Sequence, residues 1–346
     1  MNNKPRRSSR VTIKDIARVS GVSYSTVSRV LNNKDHVKPE KREQVMAAVN
    51  RLQYVVNPQA RSLAGGRSNV IGLLVPELGN GYIGEVIRGI DDALTASGYD
   101  LMLYTTHRHA AKEATYLRTL VRGLTDGLLL LVPTDPLAYL ETLRQEQFPY
   151  VVIDHQGFDD FSPTVIGKNY QAALDATTYL IELGHRRIGF IMGQRHLNSA
   201  IDRFKGYRDA LQAHGIPADP ELVVDGEFLQ GVSYVAADQL LSLPNRPTAI
   251  FASNDLCAFG AMDAARNHGL SIPNDVSILG FDDIPQAASV RPALTTVRQP
   301  LMEMGRIATR MLLDYIENPQ QERERIFLDT ELVIRDSCAP LHGDRV

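Results

Sequence analysis

From residue 69 onward, short apolar runs alternate with segments whose hydrophobic positions recur every three or four residues. VIGLLVP (70–76), DLMLYTT (100–106), GLLLLVP (127–133), YVVID (150–154), RIGFIMG (187–193), TAIFAS (248–253) and VSILGFDD (276–283) are of strand length and largely apolar. Continuous apolar runs of that length mark strands buried on both faces. Between them lie amphipathic stretches such as 82–97, where Ile83, Val86, Ile87, Ile90 and Leu94 share one helical face and Gly98 ends the pattern. The alternation predicts an α/β body with parallel sheets covered by helices, and about 270 residues suit two such lobes better than one.

The first fifty residues follow another rhythm. TIKDIARVSGVSYSTVSRVLNN (12–33) reads as helix, tight turn, helix. Thr12 and Asp15 have capping-box spacing, Ile13, Ile16 and Ala17 form an apolar stripe, and Gly21 supplies the turn. Ser23 is a good N-cap for a second helix running to about Asn32, with Val27, Val30 and Leu31 facing inward. Tyr24, Ser25, Thr26, Ser28 and Arg29 are then left for the outer face. Small hydroxyls and one arginine make a poor core but a good surface for base edges, because Arg donates two bonds to guanine O6 and N7. A third helix, about 39–52, starts at Pro39 and carries Val45, Val49 and Leu52 to close a small core.

Charge sharpens this picture. The formal net charge is −3, yet residues 1–68 hold 14 Lys/Arg against 4 Asp/Glu, while the rest holds 23 against 36. A basic head on an acidic body points to nucleic acid; a solvated basic tail would explain KPRRSSR (4–10) but not the patterned residues after it. Cys257 and Cys338 have no metal-ligand spacing and cannot build a disulfide framework. No run reaches membrane-span length and no apolar segment follows the basic N-terminus, so a cytoplasmic protein is expected, with no membrane partner.

NPQARSLAGGRS (57–68) has Asn57 as a cap, Pro58 as a first helical residue and Gly65-Gly66 as a stop. It is either a plain linker or a hinge helix too short to persist alone, which forms against DNA with Leu63 as an apolar wedge. VTIKDIARVSGVSYSTVSRVLN, NPQARSLAGG and NVIGLLVP, in that order, resemble the lactose-repressor (LacI/GalR) family of bacterial transcription factors. The resemblance implies a helix-turn-helix head (1–56), a hinge helix or linker (57–68) and a body (69–346) of two similar, doubly wound parallel-sheet lobes joined by crossovers, like that of periplasmic sugar-binding proteins. Its N-lobe would span about 69–168 and 298–327, its C-lobe about 169–297 and 328–340. It also implies a homodimer on a pseudo-palindromic duplex operator. By position, Tyr24, Ser25 and Arg29 would read bases, Thr12 and Asn32 would touch phosphates, and Leu63 would enter the minor groove at the central step. Thr26, Ser28 and His36 complete the expected DNA-facing set.

Parallel sheets bind ligands at the carboxyl ends of their strands. The runs end on Glu77, Thr105-Thr106, Thr134, Asp154-His155, Gln194, Ser253-Asn254-Asp255 and Asp282-Asp283, nearly all hydrogen-bonding groups. Together with Arg203, these suit a polyhydroxylated ligand, because fork-shaped donors and carboxylate acceptors match vicinal hydroxyls. Tyr82 and Phe228 are candidate apolar platforms. Each residue has a plainer reading. Asp282-Asp283 would cap a turn, Asn254-Asp255 would cap a helix, His155 would sit on a rim and Arg203 would bridge the lobes. The family resemblance selects Tyr82, Asp154, Arg203, Phe228, Asn254, Asp282 and Gln299 as effector contacts. The second acidic position that some sugar-binding relatives place near Asp154 is Gly157 here.

No phosphate loop, G-x-S-x-G or H-E-x-x-H is present, so neither an enzyme nor a cofactor or metal is expected. The expected function is an effector-controlled repressor, with a sugar as first choice of effector and a purine or nucleoside as second. A periplasmic receptor is disfavoured by the basic head. No leucine heptads follow RIFLDTELVIRD (325–336), so a dimer is expected and not a coiled-coil tetramer.

Overall fold

The computed structural model describes residues 11–31, 37–54, 67–155 and 161–341. They form two compact units: residues up to Asn69 with Thr119–Asp126, and Val70–Arg118 with the chain from Gly127 onward.

In the first unit α1 (Ile13–Ser20), α2 (Tyr24–Leu31) and α3 (Pro39–Leu52) enclose a core of Ile16, Val22, Val27, Val30, Val45 and Ala48. Asp15 Oδ2 accepts from both the backbone N and Oγ1 of Thr12, at 3.0 and 2.8 Å, which fixes the first turn of α1. Gly21 ends α1 in the left-handed region at φ 67°, where a side chain would be strained. Asp126 accepts three bonds, from Ser68 N at 2.7 Å, Ser68 Oγ at 2.8 Å and Asn69 N at 2.8 Å.

The second unit holds two sheets. The first has β1 (Val70–Val75), β2 (Asp100–Thr105), β3 (Gly127–Leu131), β4 (Tyr150–Ile153), β5 (Thr164–Gly167) and β11 (Arg325–Leu328) in the order β2-β1-β3-β4-β5-β11. The second has β6 (Ile188–Met192), β7 (Val223–Asp225), β8 (Ala249–Ala252), β9 (Ser277–Asp282), β10 (Thr295–Arg298) and β12 (Glu331–Val333) in the order β7-β6-β8-β9-β10-β12. The two orders are the same, so the lobes repeat one doubly wound topology. Among the described residues every strand pair is parallel except β10 with β12.

The intervening helices are α4 (Gly81–Ser97), α5 (Ala110–Val121), α6 (Leu137–Gln145), α7 (Asn169–Glu182), α8 (Asn198–Ala213), α9 (Gln230–Leu241), α10 (Asp255–Asn267) and α11 (Leu301–Glu317). β3, β4, β6, β8 and β9 are buried along their whole length, which is why their sequences show no alternation. The chain crosses between lobes three times, at 167–169, 298–301 and 328–331. Lys168 Nζ meets Asp329 Oδ1 at 2.6 Å, stapling the first crossing to the third.

Candidate ligand cleft and nucleic-acid interface

Strand order reverses between β1 and β3 in one lobe and between β6 and β8 in the other. In open α/β sheets such reversals leave a crevice beyond the carboxyl strand ends. A cavity of about 50 Å³ lies there, between the lobes. Pro76, Asn80, Tyr82, Ile83, Arg108, Val132 and Asp154 line it from the first lobe; Leu197, Ser199, Arg203, Phe228, Asn254 and Asp282 do so from the second. Six of the seven residues expected from sequence thus face one cavity. The seventh, Gln299, stands behind it and donates from Nε2 to Asp282 Oδ1 at 2.8 Å.

Arg203 organises the C-lobe wall. Its guanidinium is 3% exposed, lies 3.6 Å from Asp282 Oδ1, donates from Nε to Asn169 Oδ1 at 2.8 Å, and donates from Nη1 to the Ser253 carbonyl. It stacks 3.7 Å above the Phe281 ring centroid and 5.7 Å from that of Phe228. The partners belong to its own lobe, so the guanidinium is not an interlobe bridge. Across the cavity the Tyr82 hydroxyl donates to Asp154 Oδ2 at 2.6 Å.

One buried guanidinium therefore serves several buried carboxylates. Burial raises the Asp282 pKa to about 7; Arg203 and Gln299 pull it down, and the Asp154 charge pushes it up. Burial likewise raises Asp154, against the pull of Arg203, Tyr82 and Asn169. Asp255, fully buried behind Asp282, is raised well above its ordinary value by burial and then by the Asp282 charge. It accepts from Thr296 Oγ1 and from the Ile284 backbone N, holding the turn after β9. His155 is lowered to about 4 by burial and by His196, which leaves its ring neutral at pH 7. Asp283 turns away to Arg298 and Arg335, at 2.7 and 2.6 Å, so Asp282-Asp283 is not a pair acting at one point.

The backbone around the cavity is strained. Val132, Asp154, Phe228 and Asp282 have φ of 43°, 54°, 60° and 117°, a region that residues with a Cβ rarely enter. Such residues persist only where their surroundings over-determine them, and they gather at binding sites. Gly193 gives Phe228 its place: a Cβ there would meet the ring at 2.1–2.4 Å. Among the described residues two buried acceptors, Asp154 Oδ1 and Gln299 Oε1, have no hydrogen-bond partner. Asn254 Oδ1 is used as the N-cap of α10, accepting from Cys257 N at 2.8 Å.

In the head, Thr12, Tyr24, Ser25 and Arg29 are exposed, Thr26 and Ser28 half-buried, and Val27 and Val30 buried beneath them. Tyr24 is 52% exposed although aromatic. Ser23 Oγ is 2.9 Å from both Ser25 Oγ and Thr26 Oγ1, grouping the hydroxyls at the start of α2. Asn32, His36 and Leu63 lie outside the described residues.

Residues 12–57 match the family of bacterial regulatory proteins of the lacI type, and residues 177–338 match the periplasmic binding protein-like domain. The HTH-type transcriptional repressor PurR of Erwinia tasmaniensis is 37% identical over 330 residues, 95% of this chain and 97% of that protein. The chain belongs to the LacI family. Among solved structures, this LacI-family chain resembles the lac repressor dimer bound to operator and the anti-inducer ONPF, with a TM-score of 0.82, 27% identity, and 95% and 99% of the two chains covered. It also resembles a complex of the transcriptional regulator CelR with cellobiose, with a TM-score of 0.73, 33% identity, and 95% and 100% covered. The LacI-family chain is a DNA-binding transcriptional regulator with a ligand-binding body. Among the described residues no helix is long and apolar enough to cross a membrane.

The cleft of this LacI-family regulator also contains groups that the strand-end reading passed over. Arg108 and Ser199 lie a few residues beyond strand ends that it did flag, so the same rule applied further along each loop would have reached them. Asn169 carries no local signal, because its partner Arg203 is 34 residues away.

Proposed function

We propose that this regulator is a repressor acting as a homodimer on a pseudo-palindromic operator, and that a sugar in the interlobe cleft sets its DNA affinity. The observation that carries the effector class is Asp154 Oδ1, a buried acceptor without a hydrogen-bond partner that lines the same cavity as Arg203 and Asp282. An unmade buried hydrogen bond is costly, so the fitting ligand brings a donor to that oxygen. Beside it the Arg203 fork and the Asp282 carboxylate offer a donor and an acceptor to adjacent hydroxyls. With its oxygen occupied in capping, Asn254 would offer its amide nitrogen to a ligand oxygen. Tyr82 and Phe228 would flank the ring. In the head, Tyr24, Ser25 and Arg29 would meet base edges, and Thr12, Thr26 and Ser28 would support the fit. The segment 57–68, with Leu63 as its wedge, would link cleft to operator as a hinge. The similarity to a regulator solved with cellobiose supports the sugar reading.

A purine or nucleoside is the second reading, favoured by relatives named PurR and by the two rings at the cleft. Melting curves of the full chain with ribose, glucose, cellobiose, hypoxanthine, guanine and adenosine separate the two. A ligand at 100 times its Kd adds about 2.7 kcal/mol of stability. A shift with a sugar, abolished by Asp282→Ala, supports the first reading; a shift with purines alone replaces it with the second.

A further inference from the structure

We infer that Arg108 is a positioning residue for effector binding: anchored to Glu77 in its own lobe, it crosses the cleft mouth to Gln194 and sets how far the lobes open. The anchor is bidentate, with Nη2 2.9 Å from Glu77 Oε1 and Nε 3.4 Å from Oε2. The remaining nitrogen, Nη1, donates to Gln194 Oε1 at 2.9 Å. Glu77 follows β1 and Arg108 follows β2, both in the N-lobe, while Gln194 follows β6 in the C-lobe. The two halves differ in kind. The anchor is a half-buried ion pair, at 27% and 28% exposure, and it stays within one lobe. The crossing bond goes to a neutral amide, the weaker partner for a guanidinium, so it is the part that opens.

The local backbone is built to present this side chain. His107 and Arg108 both lie in the left-handed region, at φ 52° and 57°. Two successive non-glycine residues there are unfavourable and need a compensating contact. The lobes also meet at a second place. A Cβ on Gly81, at the start of α4, would lie 2.8 Å from Gln286 Oε1 and 3.2 Å from Ile284 Cβ of the other lobe. The Arg108–Gln194 bond therefore belongs to a closed arrangement with little spare room. Arg108 also lines the cavity, so a ligand spanning the cleft and this bond favour the same arrangement. The strength of the bond sets the share of closed protein before any ligand arrives, and apparent affinity follows that share.

The inference deepens the proposed regulation of the cleft, but its test uses the protein alone. Hydrogen exchange of the full chain is followed at amides 81–84 and 284–287, where the lobes touch, with 249–262 as a reference for intact folding. Arg108→Ala and Gln194→Ala each raise exchange at both contact segments about tenfold, the loss expected of one charge-assisted bond. The double variant adds nothing further, because both partners serve one bond. Gln194→Glu slows exchange at the same amides, an effect that a merely structural loop residue would not give. Wild-type exchange in either alanine variant, additive effects in the double, or faster exchange in Gln194→Glu would overturn the inference. None of these depends on which ligand shifts the melting curve, so the two readings fail separately.

Discussion

Gln299, on the second crossover, holds Asp282 through a 2.8 Å bond from Nε2 to Oδ1. The carboxylate at the back of the cleft is thus tied directly to one of the strand connections between the lobes.

The Asp282 pKa rises from 3.8 to about 7. A carboxyl whose folded pKa exceeds its unfolded one keeps its proton longer in the folded state, so its stabilisation is full below pH 4 and is lost as pH rises to 7. Asp154 and Asp255 shift the same way and add to the slope. Melting temperatures of the ligand-free protein fall across pH 4–7, and Asp282→Asn flattens the curve. A ligand donating to the ionised carboxylate releases a proton below pH 7 and binds more tightly as pH rises towards 8. Calorimetry in two buffers of different ionisation enthalpy measures that proton; identical heats and an unchanged Kd between pH 6 and 8 would contradict this account.

Gly193→Ala forces the Phe228 ring out of its place. Overpacking of this kind costs about 1–3 kcal/mol, and effector affinity falls with it. Gly84→Ala is the matched control, since an added Cβ there meets nothing within 4 Å and the site is an exposed helix position. It stabilises by about 0.5–1 kcal/mol. Urea unfolding of both variants checks the contrast; equal effects would remove the packing explanation.

In the head, Ile16→Ala and Arg29→Ala abolish or weaken DNA binding for different reasons. Ile16 is fully buried, and its truncation costs about 2–5 kcal/mol, enough to unfold a three-helix core this small. Arg29 is exposed, so Arg29→Ala keeps the melting profile and loses about 1–3 kcal/mol of binding. Fluorescence anisotropy on a duplex selected from a random pool gives both, and affinity declines steeply with salt. Full affinity for Arg29→Ala would place base reading elsewhere on α2.

Element ends were the most legible part of the chain because their chemistry is local. Thr12 with Asp15, Gly21, Pro39 and Gly98 mark ends that the structure places within a residue of expectation. The cleft was legible through strand ends, which any doubly wound sheet brings together. What stayed hidden depends on distance in sequence. Arg108 needed Gln194, 86 residues away, to have a meaning, and Asn254 proved to be both cap and cavity wall, readings that the sequence alone left as alternatives. The likeness of the two lobes came only through the family resemblance, since no repeat in residue identity announces their shared strand order.

The three crossings between lobes have a mechanical consequence. Asn169 lies at the end of one and Gln299 within another, each bonded to a cleft residue, so a ligand held there would bear on the molecule beside its crossings. If the lobes turn about these crossings, a short stroke there would become a longer sweep at the far ends of the strands, in proportion to their distance from the pivot. Lys168 and Asp329, whose exposed 2.6 Å ion pair joins the first crossing to the third outside the cavity, would add only a small stiffness to such a pivot.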